Sequence, residues 1–157
     1  MSWMGVLIFL TLTRVVHSQG STTLPPPADR DSFVGVWQAN ADKSQPKLTR
    51  VQRTYVRTIE RIGKDIKFSS SGGDSKAKIR SFLIRCDGSL YPLPTGPVMS
   101  CRWVDSRRVE GETRDPRGRE SYWAREVTAD GQTMTITEFK DKTRTKVASV
   151  MALDRVK

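Results

Sequence analysis

Lys146-Val147-Ala148-Ser149-Val150-Met151-Ala152-Leu153 puts Val147, Ser149, Met151 and Leu153 at every second position. Period two is that of a β-strand; a helix would repeat near 3.6. Working back from this segment, β-branched and aromatic residues concentrate in further runs at Val34–Gln38, Val51–Ile62, Ile66–Ser70, Lys78–Arg85, Ser100–Asp105, Arg108–Thr113, Glu120–Val127 and Thr133–Phe139. Turn-forming residues punctuate them: Gly63-Lys64, Gly72-Gly73-Asp74, Asp87-Gly88, Pro92 to Pro97, Asp115-Pro116-Arg117-Gly118, Asp130-Gly131 and Asp141-Lys142. Short strands with turns at such spacing predict a sandwich or barrel. Parallel pairing would need crossover helices, and no segment offers a convincing one, so the sheet is expected to be an antiparallel meander.

Val51–Ile62 admits a second reading. Val51, Tyr55, Ile59 and Ile62 fit a helical stripe with Arg50, Arg53, Arg57 and Arg61 opposite, a basic amphipathic helix. Six β-branched residues and the hairpin-like continuation Gly63-Lys64-Asp65-Ile66-Lys67-Phe68 favour a strand.

The N-terminus carries an apolar run, Gly5 to Leu12, followed by Val16-His17-Ser18. The run is shorter than the roughly 20 residues that span a bilayer, so it reads as an export signal (1–18) rather than an anchor. Residues 19–31, with Pro25-Pro26-Pro27, read as an exposed, partly polyproline linker, and 32–157 as one domain. His17 is the sole histidine, so cleavage after Ser18 removes the usual general base, the commonest metal ligand and every Ser-His or Cys-His pair. No metal, no cofactor and no enzymatic activity are expected. The location expected is periplasmic or extracellular, where Cys86 and Cys101 would pair as a disulfide. They enclose 16 residues, for which chain entropy gives about 3 kcal/mol.

Phe33-Val34-Gly35-Val36-Trp37, opening the first strand, resembles the F-x-G-x-W start of lipocalins, fatty-acid-binding proteins and other calycin barrels. With Asn40-Ala41-Asp42-Lys43-Ser44, Asp87-Gly88-Ser89-Leu90-Tyr91-Pro92 and Asp130-Gly131-Gln132-Thr133-Met134-Thr135-Ile136-Thr137 in that order, the chain is similar to small exported bacterial β-proteins of the lipocalin-like kind. The resemblance covers Phe33 to Val156 and implies a calycin-like barrel and export, but no activity. The cysteine pair departs from that group. Fatty-acid-binding proteins insert two helices between their first two strands, for which the interval from Asn40 to Val51 leaves no room. A lipocalin- or avidin-like meander of about eight to ten strands, packed inside or holding one small ligand, is therefore the expected architecture. Gly35 and Trp37 are expected to be structural. The resemblance also sets a basic residue near the C-terminus across the first-strand Trp, which makes Arg155 the candidate partner of Trp37, with Lys157 second.

Four features bear on function. Tyr55, Trp103, Tyr122 and Trp123 could line a pocket or simply fill core. Arg125 shares a strand face with Trp123 and Val127 and could meet a ligand carboxylate; if Tyr122 and Ala124 face inward instead, Arg125 faces out. The net charge of +10 gathers partly at Arg107, Arg108, Arg114, Arg117 and Arg119 and at Lys140, Lys142, Arg144 and Lys146. Such a rim suits an anionic polymer or envelope surface, or is a solvated face; no motif accompanies it that would favour nucleic acid. Glu110 and Glu112, a pair that could serve a carboxylate-dependent hydrolase, alternate among arginines as surface ion pairs do. The expected role is binding a small apolar or anionic ligand, with a basic adhesion surface as the alternative.

Overall fold

The structure, a computed structural model, describes residues 31–72 and 80–156. The expected export signal with His17, the linker up to residue 30 and Lys157 lie outside the described residues. Ten strands form a single antiparallel sheet: β1 (Gly35–Gln45), β2 (Val56–Ile62), β3 (Asp65–Ser71), β4 (Arg80–Ile84), β5 (Asp87–Pro92), β6 (Val98–Trp103), β7 (Arg108–Arg114), β8 (Glu120–Val127), β9 (Thr133–Phe139) and β10 (Val147–Arg155). Each strand pairs with its neighbour in sequence except at the step from β4 to β5, and β1 pairs with β10. The result is a nearly closed meander barrel whose seam lies between β4 and β5, not between the chain's two ends.

Alternation places one face of every strand inside. Trp37 stands opposite Arg155 and Arg57 across the two ladders of β1, and Trp123 opposite Gly111. One end of the barrel is solid: Phe33, Trp37, Val127, Met134 and Leu153 are all at most 2% exposed, and Phe33 meets Trp103 edge-on at 5.3 Å between ring centres. Burying a large apolar side chain contributes about 1.5–3 kcal/mol, so this plug holds the closed end.

Three segments differ from the expectation. Where nine runs were read there are ten strands, because Asp87–Pro92, taken for a turn at Asp87-Gly88 leading towards Pro92, is β5. Gly88 at φ 91° and a register break between Asp87 and Leu90 put turn-type residues inside an irregular edge strand. Asn40–Ser44 lies within β1 rather than after it. There the Asn40 side-chain oxygen accepts the N–H groups of Asp42 (2.9 Å) and Lys43 (3.2 Å), a turn-like element built into the strand. Finally, Val51–Ile62 is neither one helix nor one strand: Gln52–Thr54 form a 3-10 turn and only Val56–Ile62 is strand.

Cys86 and Cys101 are bonded, and both are buried. The bond ties the corner between β4 and β5 to β6, next to the seam that no ladder closes. Replacing both cysteines by alanine should lower unfolding free energy by about 3 kcal/mol, read from the denaturant midpoint; an unchanged midpoint would show that the seam holds without the bond.

Candidate functional site

Above the plugged end the barrel opens into a cavity of about 350 Å³ lined by, among others, Tyr55, Arg57, Met99, Trp123, Arg125 and Ile136. This lies within the range of small-molecule sites, about 300–1,000 Å³. Parity on β8 is resolved: Trp123 and Arg125 face in, while Tyr122 is on the opposite face, donating its hydroxyl to Glu120. Trp103 belongs to the plug with Phe33. Of the aromatic and basic residues singled out for a pocket, Tyr55, Trp123 and Arg125 line the cavity, and Tyr122 and Trp103 do not.

Arg125 is 5% exposed. Its guanidinium lies 4.2 Å from the Trp123 ring centre and 4.7 Å from that of Phe68. Arg57, on β2, faces the same interior, 5.7 Å from the Phe68 ring, and donates from Nη2 to the Tyr55 hydroxyl, which is 3.2 Å from Ser70 Oγ. Aromatic faces attract these cations but accept few of their protons. Nε and Nη1 of both arginines are buried and have no acceptor among the described residues. Loss of hydration, followed by repulsion from Arg57, pushes the Arg125 pKa down to about 9. The lining includes one carboxylate, Glu138, which stays exposed at the rim and accepts from Ser149 Oγ at 3.1 Å.

Arg57 is a cavity residue that the sequence did not single out for a pocket. Its signal was present: on a strand, Arg57 alternates with Tyr55 and Ile59 and must share their face. The helical alternative had placed it opposite them.

Room for the Trp123 ring comes from Gly111. A Cβ there would fall 2.2 Å from Trp123 Cζ2 and 2.4 Å from the Ser100 carbonyl oxygen. Gly111→Ala should therefore cost about 2 kcal/mol by overpacking and displace the indole from the cavity wall. The check is a lowered denaturant midpoint together with a changed tryptophan emission; wild-type values for both would contradict this packing.

On the outside, charges are interleaved. Arg108 pairs with Glu110 at 2.9 Å and Glu126 at 3.0 Å, Arg114 with Glu120 at 2.8 Å and Arg119 with Asp115 at 2.6 Å. Glu110 also meets Arg102 and Arg144 within 4 Å, so this carboxylate is engaged by cations.

At the closed end Arg155 lies 4.2 Å from the Trp37 ring centre. It donates to the carbonyls of Gly131, Val34 and Ser32, each at 2.7 Å. Gly35, at φ 144°, admits it: a Cβ there would lie 2.4 Å from Arg155 Nη1.

No family model and no curated protein matches the chain. Solved structures do. A Schistosoma mansoni fatty acid binding protein in complex with arachidonic acid is similar at 15% identity and TM-score 0.58, over 82% of this chain and 99% of that one. The REP1-NXSQ fatty acid transporter is similar at 17% identity and TM-score 0.54, over 79% and 96%. The wild-type fluorescent protein UnaG is similar at 15% identity and TM-score 0.57, over 80% and 98%. The expected antiparallel calycin-like meander is thereby shown, and the expected absence of a helical pair holds as well, since a lone 3-10 turn connects β1 to β2. At these identities the likeness is one of fold, and the fold is a ten-stranded, nearly closed calycin-type barrel.

Proposed function

We propose that the protein is a non-enzymatic carrier that holds a small amphipathic anion inside its barrel. One observation carries this reading: two guanidinium groups turn into a cavity of ligand size with donors left unmatched, beside an apolar wall of Trp123, Met99 and Ile136. A buried cation without an acceptor is costly, and an anionic ligand would supply the missing acceptors through charge-assisted hydrogen bonds. The fatty acid binding protein and the fatty acid transporter among the similar structures support an apolar tail on that ligand. Export is part of the proposal, supported by the buried disulfide, which persists in oxidising compartments. Among the described residues no helix is long and apolar enough to cross a membrane. The basic outer surface is the lesser reading because so many of its arginines already face carboxylates.

Titration with nonanoate and with nonanol, followed by tryptophan emission, tests the proposal. Saturable binding of the acid, at least tenfold tighter than that of the alcohol, is expected; equal binding would remove the arginines from the function. Affinity for the anion should hold at neutral pH and fall as pH rises through about 9, where Arg125 loses its proton. A flat profile from pH 7 to 10 would contradict this assignment.

A further inference from the structure

We propose that the group held between Arg57 and Arg125 is doubly charged, a phosphate monoester on a short apolar tail. The inference rests on the reading of the cavity as an anion site and goes on to fix the head group. Its basis is a charge balance. Both cations meet the same aromatic ring, Phe68, at 4.7 and 5.7 Å, so they occupy one region of the interior. Each retains two buried donors without an acceptor. The acidic side chain in the cavity lining, Glu138, is exposed at the rim and held by Ser149, so it leaves the interior pair uncompensated. A single carboxylate would neutralise one guanidinium and leave the other without a counter-charge and with buried donors unmatched. A dianionic phosphate neutralises both, and its three terminal oxygens offer each guanidinium a charge-assisted acceptor.

Size limits the tail. A volume of about 350 Å³ equals that of roughly a dozen water molecules at about 30 Å³ each. An octyl chain with its phosphate is of that scale.

The test compares three probes at pH 8 by calorimetry on the disulfide-intact protein: octyl phosphate, a dianion there because its second pKa is about 6; methyl octyl phosphate, with the same tetrahedral shape and one charge; and nonanoate, planar with one charge. Octyl phosphate should bind at least tenfold tighter than either monoanion. Arg57→Met should bring octyl phosphate down to the level at which the same variant binds the methyl ester. If either monoanion binds as tightly as octyl phosphate to the wild type, the dianion assignment is overturned and the anion site stands. If none of the three binds to folded protein, the anion site itself is wrong and this inference falls with it.

Discussion

Replacing Arg125 with methionine should move stability and binding in opposite directions. The free protein is expected to gain about 2 kcal/mol, because a charge 95% withdrawn from water, without a carboxylate partner among the described residues, gives way to an apolar side chain of similar length. Stacking on Trp123 and Phe68 offsets part of this gain, since cation–π contacts contribute about 0.5–2 kcal/mol. The sign agrees with the direction of the pKa shift. The Arg125 pKa, ordinarily 12.5, is pushed down to about 9, so between these values the unfolded chain binds more protons, and stability rises with pH through that window. The same substitution should weaken binding of an octyl-chain anion about 100-fold, as removing one partner of a buried charge pair does. Denaturant midpoints and calorimetry report the two effects. A variant that loses stability along with binding would make Arg125 a structural residue.

Arg155→Ala should cost about 4 kcal/mol. It removes three charge-assisted hydrogen bonds at 2.7 Å, each contributing about 1.5–3 kcal/mol, and the contact with the Trp37 ring. The three carbonyls served come from two places: Ser32 and Val34 in the segment before β1, and Gly131 in the turn between β8 and β9. A planar fork reaches all three, but a point charge cannot, so Arg155→Lys should recover less than half of the loss. A denaturant midpoint within error of wild type for Arg155→Ala would show that these segments are held by other contacts.

Much of this arrangement was legible in the sequence, for reasons that differ between elements. Glu120–Val127 and Thr133–Phe139 fall on β8 and β9 residue for residue, because clear turns bound them and their residues favour strands. β5 was not legible: turn-type residues occur in this edge strand, where the barrel's irregular register accommodates them. The candidate site was half visible. Arg125 and Trp123 could be named as a pair, yet their face remained open, since β8 buries Tyr122 and Ala124 as well. Tyr122 is covered from outside, with Arg144, held at φ 56°, 6.0 Å from its ring. That contact comes from a hairpin loop folding back over β8, which no local pattern encodes. Arg57 was hidden by the rival helical stripe, and only the strand assignment of Val56–Ile62 turns it inward.

The most direct measurement is the side-chain Nε–H spectrum of ¹⁵N-arginine-labelled protein during titration with octyl phosphate. Arg57→Met and Arg125→Met identify the two interior resonances, each by its disappearance. These two signals are expected to shift together and saturably, at one ligand per chain, while those of Arg102, Arg108 and Arg119 on the outer surface stay in place. Movement confined to the outer arginines, with the Arg57 and Arg125 signals unchanged, would contradict an interior anion site and assign binding to the basic surface.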